Sequence, residues 1–224
     1  MTHTLRARAI LFDLDGVLIN SEQAVVASWR EWALAHDLDP DELLPQVHGR
    51  RSRDTIAHIT PHLDTEVEAQ HLLQLEIDHV ASCTGYAGAK ALIDALAGHP
   101  HAVVTSGEWP LASARLGQGG ITPPNVFVTA HDVTHGKPDP EGYLLAASKL
   151  GIAPEHCIVV EDAPAGIQAA KTGGMRAIGV ATSVDPSELT AADMVVPDIG
   201  ALALHFEGEW IVISTQTNRF RLII

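Results

Sequence analysis

Four short stretches carry side chains able to do chemistry together: Asp13-Leu14-Asp15-Gly16, Thr105-Ser106-Gly107, Lys137, and Glu161-Asp162. Asp13 and Asp15 stand two apart at the end of an apolar run, where the period of a strand puts both carboxylates on one side unless the turn redirects the second. A helix-capping pair would need a helix next, and Val17-Leu18-Ile19 continues apolar instead. Crowded acids repel one another unless a cation intervenes, and hard oxygen ligands with room for water suit Mg2+. Phosphoryl chemistry follows from such a set. One carboxylate can attack phosphorus and become an aspartyl-phosphate, while a second protonates the leaving alcohol and later takes a proton from water. A lysine and a hydroxyl can hold the remaining phosphoryl oxygens. Asp13 is the expected nucleophile and Asp15 the expected acid/base.

These groups need a scaffold that delivers them to one place. Apolar runs at 7–12, 101–105, 125–129, 157–160, 177–181 and 194–196 read as strands covered on both faces. Helical patterns lie between them. "KPDPEGYLLAASKLG" offers Asp139 as N-cap, Pro140 at the first helical position and Gly151 as terminator, and "EDAPAGIQAAKTGG" repeats the grammar with Pro164 and Gly173-Gly174. The alternation predicts an α/β fold, a Rossmann-like doubly wound parallel sheet, whose ligands bind outside the carboxyl ends of the strands. The interval 20–86 breaks the rhythm with helices alone: Val25, Trp29 and Trp32 share one stripe, and Leu72, Leu73, Glu76, Ile77 and Val80 share another. The expected division is a discontinuous core, 1–19 and 87–224, with a helical domain inserted at 20–86. The two tryptophans are expected to pack that insert rather than meet a ligand. "GEWIVISTQTNRFRLII" has two β-like runs around a polar middle and is expected to form a hairpin; segment 207–224 suggests no function.

Composition narrows the partners. A chain of 224 residues with 46% hydrophobic content can bury a core of its own. Lys and Arg total 14 against 28 Asp and Glu, a formal net charge of −14, which disfavours nucleic acid and anionic membrane surfaces. An anionic substrate must then meet a local cationic spot. The thirteen histidines are scattered, and only His48 draws attention. Cys83 and Cys157 read as buried thiols in a reducing compartment. Neither a signal peptide nor a membrane-spanning run is visible, so cytoplasm is expected; the sequence does not fix the oligomeric state, with a monomer the default.

The residues also carry a resemblance. "DLDGVL", "VVTSG", "GKPDPEGYL" and "VVEDAPAGIQAA" occur in the order of the four motifs of the haloacid dehalogenase (HAD) superfamily, which the chain resembles over roughly residues 8–200. The resemblance implies Asp13 as nucleophile and Asp15 as acid/base, with the Asp15 carbonyl on the metal. It implies Thr105 as the phosphate-binding hydroxyl, with Ser106 and Gly107 supplying further polar groups to substrate. Lys137 is implied to hold nucleophile and phosphate together, and Glu161 and Asp162 to bind Mg2+, Asp162 the firmer of the two. Residues 20–86 then resemble a C1 cap, a lid that shuts out water and reads the leaving group.

The branch follows from what is present and absent. Haloacid dehalogenases lack the second acid, so Asp15 argues against them; the phosphonate-cleaving branch uses a cap lysine, and 20–86 contains none. A β-phosphoglucomutase carries a cap histidine after the first motif, absent from "INSEQAVVASW". The loop "HGRRSRDTIAHITPHL" is instead similar to that of small sugar and polyol phosphatases, glycerol-1-phosphatase and 2-deoxyglucose-6-phosphate phosphatase among them. There, Arg51 and Asp54 can ion-pair, while His48, Arg50 or Arg53 can face substrate hydroxyls; Arg51 is the first choice, with His48 beside it. The expected activity is hydrolysis of a small sugar or polyol phosphate. A phosphosugar mutase and a non-catalytic phosphosugar-binding module are the alternatives, separated by whether phosphate is released, moved or merely bound.

Overall fold

A computed structural model describes residues 4–47 and 50–215. The chain runs β1 (Thr4–Ala7), β2 (Ala9–Phe12), β3 (Ile19–Asn20), α1 (Glu22–Ala35), α2 (Pro40–Leu43), α3 (Ser52–Ile59), α4 (Thr65–Asp78), β4 (Thr84–Gly85), α5 (Ala89–Ala95) and β5 (His101–Val104). It continues α6 (Trp109–Gln118), β6 (Val126–Val128), α7 (Glu141–Leu150), β7 (Cys157–Glu161), α8 (Pro164–Thr172), β8 (Arg176–Val180), β9 (Met194–Val196), β10 (Leu202–Glu207) and β11 (Trp210–Thr215).

The six apolar runs form one parallel sheet in the order β6-β5-β2-β7-β8-β9. Their lack of polar alternation has a direct cause: both faces are covered. Ile10 and Phe12 of β2 join Val103, Ile158 and Val160 in a cluster with Leu92 and Ile93 of α5 and Leu116 of α6. Ala9 and Leu11 point the other way, with Tyr143 and Ala147 of α7 and Ile167 of α8. β2 is central, and the order moves outward from it in both directions. The crevice at its carboxyl end is therefore where a ligand is expected.

Helices α1 to α4 form a separate layer with its own apolar cluster around Trp29, Trp32, Leu43, Ile56 and Leu72. The tryptophans meet edge to face at 5.6 Å, and the Trp32 indole donates to Glu68 Oε2 at 3.0 Å, so both pack the layer. The two-stranded pairing of β3 with β4 marks where the chain leaves and re-enters the sheet region.

Three local expectations change. The run 7–12 is not one strand: Arg8 interrupts it, β1 pairing with β11 and β2 with the main sheet. The terminal hairpin joins β10 to β11 through Gly208 at φ +61°, one strand earlier than read; the run beyond residue 215 lies outside the described residues. Pro140 rather than Asp139 is the N-cap of α7, although Asp139 Oδ1 still accepts from the Glu141 N–H at 2.9 Å. Among the described residues, no helix is long and apolar enough to cross a membrane.

Candidate active site

β2 ends at Phe12, and the Asp13 N–H still bonds to Val160 O of β7 at 2.9 Å, so the Asp13 carboxylate is launched from the last rung of the sheet. β7 ends at Glu161, one strand over, with Asp162 next. Oxygens of Asp13, Glu161 and Asp162 lie within 4.8 Å of one another, and all three residues are buried. Lys137, arriving before α7, places its Nζ 2.5 Å from Asp13 Oδ1 and 2.7 Å from Glu161 Oε1.

Three buried acids against one lysine leave excess negative charge, and the ionisation states follow. Burial pushes Asp13 up to about 7; Lys137 opposes this, and the charges of Glu161 and Asp15 add to it. Asp162 is pushed well above the ordinary carboxylate range by burial, then by Glu161 and Asp13. For Lys137, burial alone would favour loss of the proton, but Asp13 and Glu161 overcome it and hold the ammonium. Asp13 and Asp162 therefore offer hard oxygen donors in a place that favours a further cation, which fits a divalent ion such as Mg2+.

Glu161 differs from its two companions. Its Oε1 accepts from Lys137 and from the Tyr143 hydroxyl at 3.2 Å, and its Oε2 from the Ala163 N–H at 2.8 Å. Both oxygens are engaged inside the protein, so Glu161 pins Lys137 from beneath. Asp162 accepts instead from the Ser183 hydroxyl. Gly16, at φ +79°, lies so close that a Cβ there would stand 1.8 Å from Asp162 Oδ2. The turn of "DLDG" needs glycine for both its sign of φ and this approach.

Asp13, Asp15, Thr105, Ser106, Gly107 and Asp162 line a single cleft. Thr105 extends β5 through its N–H to Val128 O at 2.9 Å, and its hydroxyl accepts from the Gly107 N–H at 3.0 Å, which curls the loop toward Asp13. Lys137 lines an adjoining pocket that shares Thr105 and Ser106. The far wall of the cleft comes from the helical layer and includes Trp29, Arg50, Ser52 and Glu76.

The loop residues separate. Arg51 grips Asp54 through two nitrogens, at 2.7 and 3.0 Å, and reaches Val133 O at 3.3 Å; it borders the adjoining pocket rather than the cleft. Arg50 lines the cleft in its place. His48 lies outside the described residues.

Sequence reasoning overlooked Arg115. It is buried on α6, with Nη1 3.0 Å from Asp15 Oδ2 and Nη2 3.0 Å from Glu76 Oε1 of α4. Burial pushes Glu76 up, Arg115 pulls it back and Asp15 pushes with burial; the upward shift prevails. The signal was available in part: an acid on the apolar stripe of Leu72 and Ile77 requires a buried cationic partner.

Comparisons with known proteins bear on the family and the fold. The family model described as "haloacid dehalogenase-like hydrolase" matches residues 7–174. Hexitol phosphatase A of Escherichia coli is 41% identical over 219 residues, covering 96% of this chain and 97% of that protein. The 2-deoxyglucose-6-phosphate phosphatase 2 of Saccharomyces cerevisiae is 34% identical, covering 93% and 94%. The crystal structure of a hydrolase from Pseudomonas syringae superposes with a TM-score of 0.76 at 26% identity, covering 86% of this chain and 94% of that one.

Proposed function

The chain belongs to the haloacid dehalogenase-like hydrolases, and we propose that it is an Mg2+-dependent phosphatase releasing phosphate from a small sugar or polyol phosphate through an aspartyl-phosphate. The observation that carries this reading is the clustering of Asp13, Lys137 and Asp162 at the carboxyl edge of the sheet, beside the Thr105 loop. The named activities of the relatives supply the substrate class.

Asp13 attacks phosphorus in line, forming an acyl–phosphate bond as the bond from phosphorus to the alcohol oxygen breaks. Asp15 delivers a proton to the departing alkoxide. In the second half, Asp15 takes a proton from water as it attacks phosphorus, and the Asp13 carboxylate leaves. Lys137 and the Thr105 hydroxyl hold phosphoryl oxygens, and Glu161 keeps Lys137 aimed. Asp13, Asp162 and the Asp15 carbonyl would hold Mg2+, whose charge would let an anionic phosphate enter an acidic site. Segment 20–86 serves as the lid, and its wall sets the polar Arg50, Ser52 and Glu76 beside the apolar Val25, Trp29 and Val47, a mixture that suits the hydroxyls and C–H faces of a sugar or polyol.

The test is phosphate release from hexitol, glycerol, hexose and 2-deoxyhexose phosphates with Mg2+ and with EDTA. Expected are release that needs Mg2+ and loss of turnover in Asp13→Asn. Isomerised sugar phosphate would establish a mutase instead, and binding without turnover a sensing module; surviving turnover in Asp13→Asn would refute the covalent route.

A further inference from the structure

We propose that Arg115 is a positioning residue for the acid/base step, setting the orientation of Asp15 from the core and the helical layer together. The proposal rests on the phosphatase reading above and adds a residue to it.

Three observations converge. Arg115 sits on α6 between Ala112 and Leu116, both fully buried, and its own side chain is only 4% exposed. A guanidinium kept from water needs anionic partners, and it has two, from segments 100 and 39 residues away. Its prongs divide: one nitrogen on Asp15, the other on Glu76, rather than both on one acid. The planar fork therefore fixes an angle between the "DLDG" turn and α4, which a flexible ammonium could not do.

The third observation concerns the other oxygen of Asp15. Oδ2 is held by Arg115, whereas Oδ1 is buried with no hydrogen-bond partner in the structure, on a residue that lines the same cleft as Asp13. The side chain is 28% exposed although Oδ1 itself is closed off, so Arg115, through its hold on Oδ2, decides how the carboxyl is turned and which of its oxygens meets the leaving group or water. Glu76 completes the arrangement, because the fork is set only while α4 lies against the core. Proton delivery is thereby tied to the seating of the helical layer.

Leaving-group dependence separates this role from simple buttressing. An alkoxide needs a proton to depart and p-nitrophenolate does not, so misplacing Asp15 harms the first reaction selectively. The comparison is kcat/KM, which reports the phosphorylation half alone, for a hexitol phosphate and for p-nitrophenyl phosphate. In Arg115→Ala the ratio of the two values is expected to fall by roughly 30-fold, below the ~10²–10⁴-fold of losing a general acid outright because Asp15 is misplaced rather than removed. Glu76→Gln, which keeps volume and removes the charge, should shift the ratio the same way by about fivefold, as for loss of one charged contact. Glu76→Gln also guards against an Arg115→Ala protein that does not fold. An unchanged ratio in either folded variant, with both substrates slowed alike, overturns the proposal and leaves Arg115 a structural ion pair. If the wild type hydrolyses aryl phosphates but no sugar or polyol phosphate, the substrate assignment fails by itself. The ratio is then read between phenyl and p-nitrophenyl phosphate, with the same outcome required.

Discussion

Burial and charge oppose one another at Asp13, and the balance predicts how the metal-free protein responds to pH. Its carboxyl is pushed up to about 7, whereas in an unfolded chain it titrates near the ordinary value of about 4. Between those limits the native state holds a proton that the unfolded state has released, so stability falls as pH rises, and the loss is complete above about 7. Asp13→Asn removes the penalty while keeping the shape. In EDTA, this variant should melt higher than the wild type at pH 8, and the gap should close on going down to pH 4. Differential scanning fluorimetry at the two pH values measures it; a variant that melts lower at pH 8 would contradict the sign. The same residue would then be the one whose loss ends turnover, a site held ready at some cost in stability.

At the scale of elements, two turns make room for acids by omitting a Cβ. Gly16 clears Asp162, and Gly166, in the first turn of α8, clears Glu161: a Cβ there would stand 1.7 Å from Glu161 Oε1. Gly166→Ala must move that carboxylate, and Lys137 with it. We expect kcat to fall by roughly 100-fold, as for a displaced catalytic group, with overpacking costing about 1–3 kcal/mol in urea melts. Gly117, near the end of α6 with open space where its Cβ would point, is the control: Gly117→Ala should gain up to about 1 kcal/mol and keep activity. A Gly166→Ala enzyme with wild-type kcat would show that Glu161 does not steer Lys137. The same elements show what a sequence reveals. Strands of the main sheet were legible because burial on both faces writes them as apolar runs. β1 and β10 were not, since one side of each faces water and "TLRA" and "LALHFE" mix polar residues into short spans. The acids were legible from type and spacing, but not the spending of both Glu161 oxygens on Lys137, Tyr143 and Ala163, which depends on three other segments. Arg115 was legible only in part: Glu76 on an apolar stripe asks for a buried cation, but nothing local in "LASARLG" tells that this arginine supplies it or that Asp15 is its second partner.

At the scale of the whole molecule, the site lies at one end of β2 and a separate closure at the other. β1 leads into β2 through Arg8 and pairs residue by residue with β11, from Thr4 opposite Ser214 to Ala7 opposite Ile211. The beginning and end of the described chain are thus fastened beneath the sheet, at the amino edge, away from Asp13 at the carboxyl edge. Strand periodicity explains how: Ile211 and Ile213 point inward, fully buried with Ile10 and Phe12 in the main cluster, while Val212 and Ser214 face outward and remain partly exposed. Truncating Ile213 to Ala removes packing that nothing nearby can replace and should cost about 2–5 kcal/mol. The site, carried on the opposite edge and fixed by its own ion pairs, has no reason to move. Urea denaturation of Ile213→Ala should therefore show the loss in stability, while kcat measured well below the melting temperature stays within about twofold of wild type, because the ion pairs that fix Asp13 and Lys137 involve no residue of β11 even though Ile213 and Phe12 belong to one apolar cluster. A parallel fall in kcat would mean that the lower sheet strains β2 along its length, and that the cleft depends on the closure rather than on the cluster around Asp13.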